Sequence, residues 1–288
     1  MSKVAVVTDS NSGITQMQAK DLGVSVIPMP FMFGDSDETF YEDINLTREE
    51  FFQRMADGQT VHTSQPSPVD VLKVWDQLLE KYDEVVHIPM SSGLSGSCQS
   101  AMMLSSEYDG RVQVINNQRI SVTQRASALD ALRLAESGMN ALQIKEKLEE
   151  VKFESSIYIM LDTLTYLKRG GRITPAAAAI GTLLRIKPVL QIKGERLDAF
   201  SKARTTAQGK TTMINAMKSD ITSLYGGLDS ETCWLYAVHA QCPDEFAVWS
   251  REVRDAFPNF NVAEDMLSLS VCCHIGPGAL AIACSKKI

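Results

Sequence analysis

Four short apolar runs repeat one figure through the first half of the chain. Val4-Ala5-Val6-Val7 closes on Thr8-Asp9-Ser10, Val24 to Pro28 follows Gly23, Glu84-Val85-Val86-His87-Ile88 leads into a serine-rich stretch, and Arg111 to Ile115 ends at Asn116. Helical stretches separate them. One spans Thr15 to Leu22 and stops at Gly23, a second opens on the capping box Thr47-Arg48-Glu49-Glu50 and ends near Gly58, and a third opens on Ser67-Pro68 and carries Val71, Trp75, Leu78 and Leu79 along one side. Strand and helix in alternation require a mostly parallel sheet with helices on both faces. This is the α/β domain expected for residues 1–153, with a small polar insertion around 31–58, where Gly34 to Asn45 is rich in Asp and Glu.

The rhythm changes after Lys152. Ile157 to Leu161 reads as a strand, Lys168-Arg169-Gly170-Gly171-Arg172 as a basic turn, and Thr174-Pro175 as the cap of an alanine-rich helix, Ala176 to Leu184. Val189 to Ile192 and Leu197 to Ser201 form a hairpin across Lys193-Gly194-Glu195-Arg196. A helix from about Thr206 to Leu224, a strand Cys233 to His239, a helix around Asp244 to Phe257 and a closing strand Ala279 to Cys284 complete an α+β domain over 154–288. A chain of 288 residues has room for two such cores.

The net charge of -7 argues against nucleic acid as a partner, which needs a surplus of Lys and Arg. No apolar run is long enough to span a bilayer, and Met1-Ser2-Lys3-Val4 enters a strand at once, so neither a transmembrane segment nor a signal peptide is expected and the location is read as cytoplasmic. Six cysteines without a C-x-x-C pair, and without histidine at zinc-finger spacing, read as reduced buried thiols, with no metal site. Cys272-Cys273 beside His274 is the one cluster, and adjacent cysteines face opposite ways if that stretch is extended.

Ligands of an open parallel sheet sit beyond the carboxyl ends of its strands. Three polar segments fall there: Asp9-Ser10-Asn11-Ser12-Gly13, His62-Thr63-Ser64-Gln65-Pro66-Ser67, and Ser91 to Ser97. Single hydroxyls among them read as helix caps, but Ser91-Ser92 with Ser95 and Ser97 exceed what one cap needs. Gly93-Leu94-Ser95-Gly96-Ser97 falls one residue short of the nucleophile elbow, no P-loop lysine follows Gly96, and no dinucleotide fingerprint follows the first strand. Among His62, His87, His239 and His274, only His274 stands in a glycine-rich turn, His274-Ile275-Gly276-Pro277-Gly278, from which it can project into a cleft between the domains. Neutral hydroxyls of Thr63 and Ser95 with the His274 imidazole suit a carboxylate better than a polyphosphate. At about 1.5–3 kcal/mol for each bond to a charged oxygen, they need an apolar tail to supply the rest. The competing reading is a serine esterase using Ser95 and His274.

Val7-Thr8-Asp9-Ser10, Thr63-Ser64-Gln65-Pro66-Ser67, Ser91-Ser92-Gly93-Leu94-Ser95-Gly96, Leu161-Asp162-Thr163-Leu164-Thr165-Tyr166-Leu167-Lys168-Arg169-Gly170-Gly171-Arg172-Ile173, Lys187-Pro188, Lys202-Ala203-Arg204-Thr205 and His274-Ile275-Gly276-Pro277-Gly278 occur in this order from end to end. In this ordered set the chain resembles the DegV family. The resemblance implies a bacterial two-domain lipid-binding protein, similar to the fatty-acid-binding subunit of fatty acid kinase, with its lipid site between the domains. It implies an internal tunnel for a long-chain acid such as palmitate, a carboxylate held by Thr63 and Ser95, and His274 near the head group. Ser64, Ser92, Gly93 and Gly96 would complete the head-group loops. Ser95 then donates a hydrogen bond and does not attack. The chain itself would catalyse nothing and need no cofactor; an ATP-dependent partner kinase would phosphorylate the carboxylate, and transient membrane contact is compatible with this role. A broader likeness to dihydroxyacetone kinase offers a third reading, a kinase-like domain, but no nucleotide site accompanies it. Ile115-Asn116-Asn117 departs from the family's Asp-Ser pair, so no acidic role is carried over there. Lys168, Arg169, Arg172, Arg185, Lys187, Lys193, Arg196, Lys202 and Arg204 make the middle of the chain basic against Asp162, Glu195 and Asp198. Most of them read as solvated surface; Arg172 and Arg204, in family-like turns, read as a docking face for an acidic partner or for a kinase's nucleotide phosphates.

Overall fold

A computed structural model describes residues 2–180 and 186–288. The chain divides into two compact units. The first runs to Lys152 and takes in Ser268–Ser270 and Ile288, and the second holds Phe153–Leu267 and Val271–Lys287. The expected division at 153/154 therefore needs correcting at three places: Phe153 falls in the second unit, and Ser268–Ser270 and Ile288 in the first. Ser268–Ser270 goes with the first unit because the Leu269 N–H donates to the Glu42 carboxylate at 2.7 Å, and Ile288 because it packs on the first unit's core.

The first unit contains β1 (Val4–Asp9), α1 (Gln16–Leu22), β2 (Val24–Ile27), β3 (Phe31–Phe33), α2 (Arg48–Ala56), β4 (Val61–Thr63), α3 (Pro68–Leu79), β5 (Glu84–Ile88), α4 (Ser97–Ser105), β6 (Val112–Val114), α5 (Val122–Glu136) and α6 (Ala141–Glu150). Its main sheet has the order β2-β1-β5-β6, parallel throughout, as the alternation of apolar runs and helices predicts. Val4 and Val6 of β1 join Val24, Val26, Val86 and Ile88 under Ala128, Ala131, Ile144 and Leu148 of α5 and α6. Ala5 and Val7 face the opposite way, against Val71 and Trp75 of α3 and Cys98 and Ala101 of α4. Strands buried on both faces need no polar alternation, which is why these runs are uniformly apolar. Thr15, Thr47 and Ser67 cap α1, α2 and α3, and Gly23, at φ +72°, ends α1.

The insertion is not simply polar. β3 and β4 pair antiparallel, and Phe31, Phe33, Phe40 and Phe51 form a buried cluster whose ring centroids lie 5.5 to 6.5 Å apart. Asp35, Ser36, Asp37 and Glu38 lie exposed on the loop, while Phe40 turns inward. Helix α5 carries no clean apolar stripe because it buries Thr123, Gln124, Ser127 and Asp130, so hydrophobic spacing alone does not reveal it.

The second unit contains β7 (Ser155–Met160), α7 (Thr165–Gly170), α8 (Pro175–Ile180), β8 (Lys187–Ile192), β9 (Leu197–Ala203), α9 (Thr206–Ser219), β10 (Cys233–His239), α10 (Pro243–Ala256), β11 (Val262–Met266), most of α11 (Leu269–Ile275) and β12 (Leu280–Lys286). Its sheet, β11-β10-β12-β7-β8-β9, is antiparallel except for β10 and β11. Helices α9 and α10 cover one face, with Met213, Met217, Trp249 and Val253 against Tyr158, Met160, Leu235 and Ile282. The expected helix to Leu224 instead ends at Ser219 and widens into a π turn, Asp220–Leu224. There the buried Asp220 carboxylate accepts from Ser156 Oγ at 2.6 Å, Tyr158 Oη at 2.7 Å and Lys193 Nζ at 2.7 Å.

Lys168 and Arg169 are the last turn of α7 rather than part of a turn, and Gly171, at φ +66°, terminates it. The expected alanine-rich helix is described to Ile180; its remainder, with Arg185, lies outside the described residues. Cys272 and Cys273 lie on α11, not on extended chain, and all six cysteines are buried, with no disulfide among the described residues. Among the described residues no group of three or more His, Cys, Asp and Glu could hold a metal ion, and no helix is long and apolar enough to cross a membrane.

Candidate functional site

Asp9 ties together the ends of β1 and β5 in the first unit. One carboxylate oxygen accepts the Asn11 N–H at 3.0 Å and Asn11 Nδ2 at 2.8 Å, and the other accepts the Met90 N–H at 2.8 Å. Burial raises the Asp9 pKa against these hydrogen bonds. Ser10 Oγ accepts the Met29 N–H at 3.0 Å. The loop after β1 is thus occupied with holding the sheet edge, although its composition marks it as a possible ligand end.

The Ser91–Ser97 loop is built differently. The Ser91 N–H donates to the Arg119 carbonyl at 2.8 Å, and the Leu94 and Ser95 N–H groups donate back to the Ser91 carbonyl at 3.0 and 3.2 Å. Gly96 precedes α4 without a side-chain cap, and Ser95 Oγ accepts the Ser97 N–H at 3.2 Å instead. Ser95 is half-buried, and among the described residues its hydroxyl proton has no acceptor. The oxygen accepts one N–H, and the hydroxyl proton remains to be donated. Ser92 and Gly93 are half-buried, and Gly96 is exposed.

Gln65 brings the second hydroxyl loop against this one. Thr63, half-buried, ends β4 opposite Phe31, and the exposed Ser64 donates its N–H to the Pro30 carbonyl at 3.1 Å. Gln65 Nε2 then donates to Ser100 Oγ of α4 at 3.0 Å, and a Cβ on Gly96 would lie 3.1 Å from Gln65 Oε1. The Thr63–Ser67 loop and the start of α4 are therefore neighbours, with Gly96 keeping the approach open. A recess beside them, lined by Ile27, Pro66, Val71, Ala101 and Leu104, encloses only about 10 Å³, too little for an acyl chain.

In the second unit the His274–Gly278 turn lies along α7 and the residues before it. A Cβ on Gly170 would fall 2.1 Å from His274 Nδ1, one on Gly276 2.3 Å from Tyr166 Cδ2, and one on Gly278 2.4 Å from Asp162 Oδ2. Tyr166 and Gly170 of α7, with Asp162 before it, thus receive the end of α11 and the glycine turn that follows it. Gly276 and Gly278 also take φ of +75° and +84°. Asp162 is fixed by Lys187 Nζ at 2.5 Å. Burial, assisted by the charge of Arg172, lowers the His274 pKa to about 4, so its imidazole is neutral near pH 7.

Arg172, exposed, donates from Nη1 to the Gly170 carbonyl at 2.6 Å. Arg204, also exposed, lies between β9 and α9, where its N–H donates to Gln208 Oε1 at 2.8 Å. The other histidines have structural surroundings or none. His239 stacks on Phe246 and accepts the Cys242 N–H, His87 is buried edge-on to Trp75, and His62 is exposed. Sequence reasoning quoted Asp9, Asp162, Tyr166 and Gly170 within longer segments but gave them no individual role.

A parallel unit with paired hydroxyl loops over its strand ends, and an antiparallel unit with a neutral histidine in a glycine turn, define a two-unit α/β protein whose candidate polar groups are mostly uncharged. The family described as an uncharacterised protein, DegV family, matches residues 3–287. The chain belongs to the DegV family. A DegV domain-containing protein of Deinococcus radiodurans is 30% identical over 281 residues, covering 97% of each chain. A solved structure described as fatty acid binding of a DegV family protein from Thermus thermophilus is 30% identical, with a TM-score of 0.88 over 99% of each chain. The crystal structure of DegV, a fatty acid binding protein from Bacillus subtilis, is 29% identical, with a TM-score of 0.87 over 100% of each chain. The expected fold class, a helix-flanked parallel sheet followed by a second sheet domain, agrees with these structures.

Proposed function

We propose that this chain binds a long-chain fatty acid, holds its carboxylate through Thr63 and Ser95, and presents it to an ATP-dependent kinase subunit that forms the acyl phosphate. The observation that carries the reading is the full-length likeness to two solved proteins of the same family that are described as fatty acid binding. The donor chemistry supports it. Ser95 offers a hydroxyl proton from an oxygen already held by the Ser97 N–H, and Gln65 brings the Thr63 loop to the same helix start; His274, whose imidazole burial keeps neutral, is the third donor proposed for the head group. Ser64, Ser92, Gly93 and Gly96 belong to the loops around it. The tail would occupy an internal apolar tunnel, where burying sixteen carbons at roughly 0.8 kcal/mol per methylene contributes on the order of 10 kcal/mol gross. Ordering the chain and losing its overall motion offset a large share. Affinity then comes from the tail and orientation from the hydroxyls. The exposed Arg172 and Arg204 offer cations to the kinase, and this subunit carries out no chemistry alone. The esterase reading draws less support, since Ser95 Oγ accepts a peptide N–H rather than handing a proton to a base.

Native mass spectrometry of the purified protein, followed by palmitate titration, tests the reading. We expect a bound or readily acquired long-chain acid, with Ser95→Ala and Thr63→Ala each weakening binding about tenfold, the loss of one hydrogen bond to a charged oxygen. A protein that neither carries nor takes up such an acid rules the reading out, and unchanged affinity in both variants rules out the head-group assignment.

A further inference from the structure

The glycine at position 96 is not demanded by its own backbone. Its φ of -72° and ψ of -6° lie in the helical region, open to any residue. A Ser, Thr, Asp or Asn there would cap α4, which has no side-chain cap. What the position lacks is room, because a Cβ would stand 3.1 Å from Gln65 Oε1. Gln65 is half-buried and pairs with Ser100 of α4. Its Nε2 donates to Ser100 Oγ at 3.0 Å, and the same hydroxyl lies 3.3 Å from Oε1, close enough to donate back. The Ser100 N–H donates to the Gly96 carbonyl at 3.0 Å, so Ser100 closes the first turn of α4. That turn holds the Ser97 N–H, the donor to Ser95 Oγ at 3.2 Å. On the other side the link is short. Thr63 ends β4, the Ser64 N–H donates to the Pro30 carbonyl at 3.1 Å, and the buried Pro66 confines Gln65 to extended backbone before Ser67 caps α3.

We propose that Gln65 is a positioning residue of the first unit: paired with Ser100, its amide sets the Thr63 loop against the start of α4, so that the Thr63 and Ser95 hydroxyls address one carboxylate together. This rests on the fatty-acid reading above and adds to it a residue that touches no ligand atom. With the tie in place the two donors are set before the ligand arrives, and binding does not have to order them. Glutamine fits the task because it donates and accepts at once and carries no charge, so it brings no anion beside a bound carboxylate. Gly96 fits it too, giving up a cap on α4 for the space the amide fills.

The test uses the full chain and compares palmitic acid with 1-hexadecanol, which has the same tail and no carboxylate, by equilibrium dialysis. Gln65→Met, which keeps the length of the side chain and loses its hydrogen bonds, should weaken palmitate about tenfold, as the loss of one bond to a charged oxygen would. Hexadecanol should stay within about twofold, because the tail decides its affinity. Ser100→Ala should reproduce both results, and the double variant should be no worse than either single one, since the two residues act as one tie. Unchanged palmitate affinity in Gln65→Met, equal losses for acid and alcohol, or additive losses in the double variant each overturn the proposal. Hydrogen exchange across residues 94–101 reads the tie without a ligand. It should quicken in Gln65→Met, and unchanged exchange overturns the proposal. If wild type takes up neither lipid, the fatty-acid reading fails and the positioning role with it, whereas intact binding with unchanged exchange removes the role of Gln65 alone.

Discussion

Gly170→Ala is the perturbation that most directly probes the seat of His274. The new Cβ would stand 2.1 Å from Nδ1, 2.8 Å from Cε1 and 3.3 Å from Cγ of the imidazole, so the ring itself obstructs it, not the end of a flexible chain. Ordinary contact between such atoms is about 3.5 Å, so the ring must withdraw by more than 1 Å. His274 Nδ1 is shielded from solvent and the turn behind it packs on Tyr166 and Asp162, which leaves little room to withdraw. Overpacking of this kind costs about 1–3 kcal/mol. The backbone at Gly170 lies outside the left-handed region and closes α7, where Ala is favoured over Gly by up to about 1 kcal/mol.

The two effects separate in a double-mutant cycle. Alone, Gly170→Ala should destabilise the protein by about 1–2 kcal/mol; on a His274→Ala background the obstacle is gone and it should be neutral or stabilising. The expected coupling is about 2 kcal/mol. Urea unfolding followed by tryptophan fluorescence measures it, because Trp234 and Trp249 lie in the second unit. Fatty acid affinity should fall in Gly170→Ala to the level of His274→Ala. Equal stability changes on the two backgrounds would refute the close approach, and with it the claim that glycine is there to seat the histidine.

Burial lowers His87 to about 3 and His274 to about 4, from an ordinary value near 6.5, so both hold their neutral form in the folded protein. Their contribution is complete above pH 6.5 and is lost as pH falls toward those values. His87→Leu should reduce the loss of stability between pH 7 and pH 4 measured in urea, and should gain about 1 kcal/mol at pH 7 by removing a buried Nδ1 that has no partner among the described residues; an unchanged pH slope would count against it. Asp220→Ala should cost about 3 kcal/mol in thermal or urea unfolding, because Tyr158, Ser156 and Lys193 lose their shared acceptor. Tyr158→Phe should cost about 1 kcal/mol, and a neutral Asp220→Ala would show that the cluster does not stabilise the π turn.

The parallel sheet is legible because strands buried on both faces are apolar at every position, and the paired β8 and β9 because a Lys-Gly-Glu-Arg turn divides two strand-forming runs. Helix α5 is hidden for the converse reason. Its buried Gln124 donates to Thr8 Oγ1 and the Ile88 carbonyl, and its buried Ser127 donates to the Thr123 carbonyl, tertiary uses that hydrophobic period does not encode. The insertion misleads because its acidic residues are clustered between 35 and 43 while its phenylalanines are scattered at 31, 33, 40 and 51, and only the folded loop gathers them. Candidate hydroxyls are visible as a serine-rich strand end, but which of them serve the fold is not. Ser10 and Ser95 both follow strands of one sheet and both accept a backbone N–H, but Ser10 is buried where it fastens Met29, whereas Ser95, half-buried, accepts only from Ser97 two residues on.

That difference bears on why a carrier would use alcohols at all. A carboxylate met by a lysine or arginine in a water-poor site gains a strong, charge-assisted hold, and releasing it then requires that pair to be broken and both charges to be rehydrated. Hydroxyl donors and a neutral imidazole orient the same oxygens through weaker bonds and leave them nucleophilic, which suits a group that a second protein must phosphorylate. The cations of this chain fit such a division of labour. Arg172 and Arg204 are exposed, where they can meet the anionic groups of a partner, and Arg48 is committed to Glu42. Under the proposed function, the charge needed for phosphoryl transfer comes with the kinase, and the carrier controls the position of its cargo through neutral donors.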